Sequence, residues 1–227
     1  MNPNDREKWD TYFRTSFTFD VRRDTVWREV CGYLQKKWIP RDSRILDAGA
    51  GYCNFINNIQ GSERHAVDIL EEMSRHAAPG VIPHVRSASD LSIFENDRFD
   101  VVFASNLLEH LTRDETGDAI QGFLRILAPG GRLILLQPNF RYCFREYFDD
   151  YTHLQIFTER SLAELLEGFG FRILQNMPRF LPVNMKTTLR FTPPRLDLLV
   201  RSYLHSPYKP RAGQMLIVAE KPGESPA

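Results

Sequence analysis

The 227-residue sequence has few cysteines, no excess charge of either sign and no long apolar run. Cys31, Cys53 and Cys143 are scattered and form no Cys-x-x-Cys pair, which argues against a disulfide framework and a cysteine zinc site. Lysine plus arginine and aspartate plus glutamate each total 29, and this balance argues against a general nucleic-acid binder. Residues 1–8 lack a signal-peptide apolar stretch, and no run approaches the roughly 18 apolar residues that span a bilayer. We therefore predict a cytoplasmic protein.

Short apolar runs alternate with amphipathic stretches over most of the chain. This alternation predicts an α/β fold with a doubly wound, parallel sheet. We expect one domain over residues 1–227. Its expected parts are an N-terminal helical cap (1–40), a cofactor-binding core (41–177), a basic, proline-rich insertion outside the sheet (178–212), and a last strand with a tail (213–227).

A glycine loop, residues 47–51 with the sequence DAGAG, follows the first predicted strand. Glycines lack Cβ, so a ligand can approach their backbone closely, and the following helix directs N–H groups toward the same place. The dinucleotide pattern G-x-G-x-x-G needs a third glycine where this chain has Asn54, so that alternative fails. An acid at Asp47 suits a ligand that carries an ammonium group. A plain structural turn is the other interpretation of the loop alone.

Residues 45–51 resemble motif I of the class I S-adenosylmethionine-dependent methyltransferases, and the resemblance extends over about residues 44–175. Residues 99–111 resemble the fourth strand of that class with its following loop, and residues 127–133 resemble the turn into its fifth strand. The resemblance implies a Rossmann-like, seven-stranded, mainly parallel sheet with an antiparallel last strand, and S-adenosyl-L-methionine as the cofactor. The cofactor-binding residues that it implies are Asp47, Gly49, Ala50, Gly51, Asp68, Ile69, Ser89, Asp90, Asn106, Leu107 and Leu108.

The chain departs from the family pattern at two places. Cys53 stands where the glycine loop of the family has its third glycine, and crowding there would either shift the methionine end of the cofactor or be tolerated. The family often has an acid near the third strand that binds the adenine amino group. For this role we expect backbone groups of Ala88 or Ser89 together with the carboxylate of Asp90, whereas Asp68 is the acid expected to hold both ribose hydroxyls.

Polar and aromatic residues follow the fifth predicted strand, where the resemblance places the methyl group of the cofactor. We hypothesise that His153 is a general base or a substrate ligand near neutral pH, oriented by Asp150. The alternative is that His153 only caps or packs the next helix. Residues 149–153, with Phe157 and Thr158, resemble a bacterial subgroup of type 11 and type 23 methyltransferases linked to glycan or envelope-lipid modification. The predicted acceptor contacts are Asn139, Tyr142, Tyr147 and Tyr151.

Glu109 and His110 form a pair that is common in the class, where it usually closes the cofactor pocket. A metal-dependent subgroup that methylates RNA 2′-hydroxyls has a further acid three residues before this glutamate. Asn106 occupies that position here, so we predict no metal. The aromatic side chains near the N-terminus fit either an aromatic lid over the cofactor cation or an ordinary packed cap; these are Trp9, Tyr12 and Phe13.

The proline-rich insertion is basic. Residues 179–211 contain seven basic residues and one acid, Asp197, so their local charge is 7 − 1 = +6. Such a segment suits an anionic membrane surface, which would make the protein peripheral to a membrane, or an acidic substrate. A lid packed on the sheet edge is the alternative. The whole sequence predicts methyl transfer to an oxygen or nitrogen of a small-molecule, glycan or lipid-linked acceptor; an RNA methyltransferase and a non-catalytic cofactor-binding regulator are the alternatives.

Overall fold

The computed structural model describes residues 21–182 and 194–223, and a seven-stranded sheet forms its centre. The strand order is β3-β2-β1-β4-β5-β7-β6. Strands β1 to β5 pair in parallel, and β7 lies antiparallel between β5 and β6. This confirms the predicted doubly wound, mainly parallel sheet with an antiparallel last strand. The strand bounds are β1 Arg44–Ala48, β2 Glu63–Asp68, β3 Val81–Val85, β4 Phe99–Ser105, β5 Leu127–Pro138, β6 Arg172–Pro182 and β7 Ala212–Glu220.

Helices bury both faces of the sheet. Successive residues of a strand point to opposite faces, and in β4 Val102 packs with Phe123 on one face whereas Phe103 packs with Leu34 and Phe55 on the other. A strand buried on both faces is a nearly continuous apolar run. This is why β4, in which only Asp100 and Ser105 are polar, has such a strong sequence signal. The helix bounds are α1 Val21–Lys37, α2 Asn54–Asn58, α3 Glu72–His76, α4 Arg113–Ile126, α5 Phe140–Cys143, α6 Glu159–Gly168 and α7 Leu196–His205, with 3₁₀ turns at Leu108–His110 and Tyr147–Asp149.

Two helices begin at threonine caps that the sequence encodes locally. Thr112 accepts a hydrogen bond from the backbone N–H of Glu115 at the start of α4, and Thr158 accepts one from Ser161 at the start of α6. A cap of this kind stabilises a helix by about 1 kcal/mol. The predicted cap at Thr158 is confirmed, and both caps fix where the chain leaves the site-bearing loops.

The prediction that residues 178–212 lie outside the sheet is wrong at both ends. Strand β6 continues to Pro182, and β7 already begins at Ala212. The prolines are tolerated because β6 is an edge strand whose register with β7 shifts between Met177 and Leu181, and a missing backbone N–H does little harm at an edge or a bulge. The insertion therefore consists of the connection between two paired strands and includes α7.

Two basic side chains of this connection form contacts within the protein. Arg201 of α7 forms an ion pair with Glu29 of α1, at 2.8 and 3.0 Å. Lys209 is only 8% exposed, and its Nζ donates to the carbonyl oxygen of Leu204 at 2.9 Å. The Arg201 pair holds α7 against α1, and Lys209 binds the last turn of α7. Two of the seven predicted basic groups are therefore used within the protein.

Some predictions concern residues outside the described ranges. The aromatic cap formed by Trp9, Tyr12 and Phe13, and the central part of the basic insertion, residues 183–193, fall there. Among residues 21–182 and 194–223, none of the helices has the length and apolarity needed to span a bilayer.

Candidate active site

One cavity of about 450 Å³ lies at the carboxyl ends of the parallel strands, where open α/β sheets bind their ligands. It has two parts that we name by their residues. The glycine-loop half contains Asp47, Gly49, Ala50, Gly51, Tyr52, Asp68, Ile69, Leu70, Ser87 and Ala88. The histidine half contains Glu109, His110, Leu111, Glu146, Asp149, Asp150, Tyr151 and His153. Asn106 and Leu107, on the loop after β4, complete the predicted cofactor residues that line the cavity.

The loop after β1 has a backbone that requires glycine. Gly49 and Gly51 have φ angles of 72° and 53°, in the left-handed region that side chains disfavour. The N–H groups of Gly49 and Ala50 donate to the carbonyl oxygen of Val67, at 2.8 and 3.1 Å. A Cβ on Gly49 would lie only 2.9 Å from Cδ1 of Leu107. The loop is therefore held against β2 with its backbone close to the cavity.

Two carboxylates, the buried Asp47 and the half-buried Asp68, face the glycine-loop half. Asp68 accepts hydrogen bonds from the backbone N–H groups of Gly51 and Leu70, at 2.9 and 3.0 Å, yet burial still raises its pKa. Asp47 is 3% exposed, and burial raises its pKa to about 8. Because desolvation disfavours both anions, a ligand that supplies hydroxyl donors or a positive charge would stabilise them.

Cys53 keeps the conformation of the glycine that it replaces. Its φ angle is 57°, in the region that favours glycine. Its side chain is fully buried, and Sγ lies 3.6 Å from the carbonyl oxygen of Met73. The residue is not among those that line the cavity. The cysteine therefore packs beneath the loop, and its side chain does not crowd the cavity.

Three predicted cofactor residues, Ser89, Asp90 and Leu108, do not line the cavity. Asp90 is turned to the surface, where its carboxylate pairs with Arg86 at 2.8 Å. Leu108 is fully buried in the core, and the Ser89 hydroxyl lies 2.7 Å from that of Ser87. On the loop after the third strand, Ser87 and the expected Ala88 line the cavity.

The histidine half holds a buried carboxyl group and two half-buried imidazoles. Glu109 is 1% exposed, and burial raises its pKa to about 8. Burial lowers the pKa of His110 to about 4 and also lowers the pKa of His153. Both carboxylate oxygens of Glu109 and Nδ1 of His153 have no hydrogen-bond partner among the described residues. Near neutral pH, this half of the cavity therefore presents neutral imidazoles next to a poorly satisfied carboxyl group.

Asp150 acts on both histidines of this half. Its Oδ1 accepts hydrogen bonds from the backbone N–H and the hydroxyl of Thr152, at 3.0 and 2.5 Å. The same hydroxyl lies 3.0 Å from Nδ1 of His110. Asp150 therefore orients His110 through Thr152, and its charge raises the pKa of His153 against the larger effect of burial. The predicted partnership of Asp150 with His153 is electrostatic in this arrangement.

Of the four predicted acceptor contacts, Tyr151 lines the cavity and is 66% exposed, so the cavity reaches the surface at this residue. Tyr142, Tyr147 and Asn139 do not line it. The ring of Tyr142 lies beneath the guanidinium of Arg179, 5.2 Å from its centroid. Tyr142 therefore belongs to the surface near the start of the basic connection.

Asn139 and Tyr147 are buried in structural roles instead. The amide nitrogen of Asn139 donates to Glu159 and to the carbonyl oxygen of Pro178, at 2.9 and 3.0 Å, and its oxygen caps α5. The hydroxyl of Tyr147 donates to the carbonyl oxygen of Gln155. Both residues stabilise the loop that carries His153 rather than facing the cavity.

Three lining residues come from segments that carry no sequence motif. Arg23 and Trp27 belong to α1, and Gln214 belongs to β7. The amide of Gln214 donates to Oδ1 of Asn106 at 2.9 Å, which ties β7 to the loop after β4. Their approach to the cavity depends on how α1 and an antiparallel strand pack on the sheet, and no local pattern in the sequence indicates it.

Comparison with known proteins agrees with this geometry. The profile of a methyltransferase domain family, type 23, matches residues 20–176. The chain belongs to this family and is a class I S-adenosylmethionine-dependent methyltransferase.

Individual relatives are distant. The chain is 24% identical over 145 residues to a phosphoethanolamine N-methyltransferase of Plasmodium falciparum, and the match covers 58% of this chain and 54% of that protein. The chain thus spans about half the length of this relative.

Two solved structures share the fold over nearly the whole chain. A methyltransferase of Haloferax volcanii, in complex with the Trm112 methyltransferase activator, has a TM-score of 0.70 at 15% identity and covers 98% of this chain and 99% of its own. The 1,6-didemethyltoxoflavin-N1-methyltransferase of Burkholderia thailandensis, with bound 1,6-didemethyltoxoflavin and S-adenosylhomocysteine, has a TM-score of 0.61 at 19% identity. That match covers 98% of this chain and 91% of the other.

Proposed function

We propose that the glycine-loop half binds S-adenosyl-L-methionine and that the histidine half binds a small acceptor with an oxygen or nitrogen nucleophile. The observation that carries this proposal is that both halves line one cavity of about 450 Å³, a size within the usual range of small-ligand sites. A shared cavity allows the two ligands to meet without an intervening protein wall. Methyl transfer depends above all on such alignment.

The residues of the glycine-loop half fit the chemistry of the cofactor. The carboxylate of Asp68 suits the ribose hydroxyls, and Asp47 suits the cationic amino group. Apolar side chains of Ile69 and Leu107 and the backbone of Ala88 suit the adenine ring. When bound, the cofactor supplies a methyl group that is already activated by a sulfonium. The task left to the protein is to orient the acceptor, exclude water and accept a proton.

His153 is the side chain that we assign to the acceptor. Burial lowers its pKa, so its imidazole is neutral near pH 7 and can accept a proton from a hydroxyl or ammonium group, or bind the acceptor directly. Asp150 lines the same half of the cavity, and its charge would stabilise an imidazolium that forms there. Tyr151 at the cavity mouth is placed to contact the acceptor as it enters.

Two features bear on the class of acceptor. The relatives with printed substrates are named for methylation of phosphoethanolamine and of 1,6-didemethyltoxoflavin, both on nitrogen. The exposure of Tyr151 at the mouth leaves room for an acceptor that extends out of the cavity. Small molecules are therefore our first choice, and glycan or lipid-linked molecules, with only the reacting end inside, are compatible with the same opening.

The test is transfer of a radiolabelled methyl group from the cofactor to a panel of small hydroxyl and amine acceptors. We expect His153→Ala to lower turnover by about 100-fold, since loss of a positioned acid–base group has effects of this size. Its affinity for S-adenosylhomocysteine should stay within about two-fold of wild type, because His153 lies in the half that we assign to the acceptor. His205→Ala, outside the cavity, is the matched control. Unchanged turnover in His153→Ala would rule out its acceptor role.

A further inference from the structure

Three metal-ligating side chains converge in the histidine half. One ligand atom from each of Glu109, His110 and His153 lies within 4.8 Å of the others. Glu109 and His110 belong to the 3₁₀ turn after β4, and His153 follows the second 3₁₀ turn, Tyr147–Asp149. One carboxylate and two imidazoles form a donor set that binds first-row divalent transition metals and leaves coordination positions open.

Two of the three side chains in this cluster contain buried polar atoms that the described residues leave without a hydrogen bond. Both carboxylate oxygens of Glu109 are buried and unpartnered among the described residues, and the same holds for Nδ1 of His153. Buried polar atoms are nearly always hydrogen-bonded, and three orphaned atoms on two adjacent side chains need an explanation. A carboxylate and an imidazole nitrogen both offer lone pairs here, and a cation would satisfy them together.

His110 is oriented in the way that metal-bound histidines are. Its Nδ1 lies 3.0 Å from the hydroxyl of Thr152, which in turn lies 2.5 Å from Asp150. Such an outer contact fixes the tautomer and the ring direction of a ligating histidine. We assign the opposite nitrogen, Nε2, to the ligand set. Asn106 is directed elsewhere, since its side chain contacts Ser105 and Gln214.

We propose that Glu109, His110 and His153 bind one divalent first-row transition-metal ion, such as Zn²⁺, Co²⁺ or Mn²⁺. The ligand atoms of such a site lie roughly 3–3.5 Å apart, given metal–ligand bonds of about 2.0–2.2 Å, so binding would draw the three side chains slightly inward. The absence of a metal was predicted from Asn106. The three remaining ligands argue against that prediction, because three protein ligands are sufficient for a catalytic metal site.

The chemical consequence rests on the proposed function. An ion in the histidine half lowers the pKa of a hydroxyl that binds it, so it favours an acceptor that reacts through oxygen, above all one with two adjacent oxygens that can chelate. The hydroxyl proton leaves to solvent, the oxygen lone pair forms the new bond to the methyl carbon, and the carbon–sulfur bonding pair stays on sulfur. His153 then acts as a ligand of the ion and not as a base.

Metal binding can be measured without cofactor or acceptor. Full-length protein freed of metal by chelation is titrated with Co²⁺, whose visible absorption reports on its ligands, and with Zn²⁺ in a calorimeter. We expect one ion per chain, and binding at least about ten-fold weaker in Glu109→Gln and in His153→Ala, since each removes one of three ligands. Glu146→Gln, which changes a carboxyl group in the same cavity, and His205→Ala should bind as wild type does.

The results separate this inference from the proposed function. Absence of Co²⁺ and Zn²⁺ binding, or equal binding in wild type and both ligand variants, would overturn the metal site and leave methyl transfer untouched. Retained affinity for S-adenosylhomocysteine shows that each variant is folded. Turnover of a hydroxyl acceptor should be lost with chelator and restored by Co²⁺ or Mn²⁺. Undiminished turnover in chelator would contradict the role of the ion in that reaction.

Discussion

The two halves of the cavity differ in how their polar groups are satisfied. In the glycine-loop half, the loop N–H groups bond to Val67, and Asp68 accepts hydrogen bonds from Gly51 and Leu70. In the histidine half, Glu109 and His153 contain buried atoms without partners among the described residues. The polar groups of the glycine-loop half are thus already hydrogen-bonded to one another or to the neighbouring strand. The histidine half contains buried polar atoms that the described residues leave without a hydrogen bond and that a ligand would satisfy.

This difference indicates how the two halves serve one reaction. The cofactor is the same throughout the class, so a preformed site suits it. The polar groups without partners next to that site can instead bind an acceptor or an ion that differs between family members. Functional sites commonly retain such locally unfavourable groups and are stabilised by the rest of the fold. Three measurements test whether the two halves differ in this way.

The largest expected effect is on cofactor affinity. Asp68→Ala removes a carboxylate that holds the backbone of Gly51 and faces the cavity. Loss of charge-assisted hydrogen bonds to the loop and to the ribose should weaken S-adenosylhomocysteine binding by roughly 100-fold or more, measured by calorimetry. Asp90→Ala is the control, because Asp90 pairs with Arg86 outside the cavity. Equal losses in the two variants would mean that the glycine-loop half extends to Asp90.

A smaller effect is expected on stability in the histidine half. Glu109→Leu replaces a buried, unpartnered carboxyl group with an apolar side chain of similar size. We expect the thermal midpoint of the metal-free protein to rise by roughly 2–4 °C, which corresponds to about 1 kcal/mol for a chain of this length. Differential scanning calorimetry measures it, with Glu146→Leu as the comparison. A lower midpoint in Glu109→Leu would show that Glu109 is satisfied in the folded protein.

The third effect is a pH dependence that originates in Asp47. Burial raises its pKa to about 8 in the folded protein, against about 4 in an unfolded chain. The folded state therefore binds this proton more tightly, and the stabilisation is complete below about pH 4 and lost as the pH rises through about 8. Urea unfolding of the cofactor-free protein should give a lower free energy at about pH 8 than at about pH 5, with a shallower decline in Asp47→Asn. If the free energy of unfolding declined equally with pH in wild type and Asp47→Asn, the pH dependence would originate in other groups.

The glycine-loop half could be predicted because its signals are local. Gly49 and Gly51 are close in sequence to Asp47, and Asp68 ends the next strand, so a short pattern specifies their meeting. The extent of β6 could not be predicted, because its prolines are tolerated only at the edge position that the tertiary fold assigns to it.

The histidine half was predicted only in part for a related reason. An irregular loop has no periodicity, so the sequence places Tyr147 and Tyr151 on the correct segment and cannot tell which of them faces the cavity. The meeting of Glu109 with His153 depends on two separate loops packing together, and no spacing rule links them. The residue at position 106 therefore carries no information about the cluster of Glu109, His110 and His153.

One cavity is divided into two functionally separate halves in the account given above. This division is tested most directly by the affinity for S-adenosylhomocysteine in the double variant Glu109→Leu/His153→Ala. We predict a dissociation constant within about two-fold of wild type together with loss of methyl transfer. A loss of affinity that approaches that of Asp68→Ala would contradict the division, because it would make the histidine half part of the cofactor site.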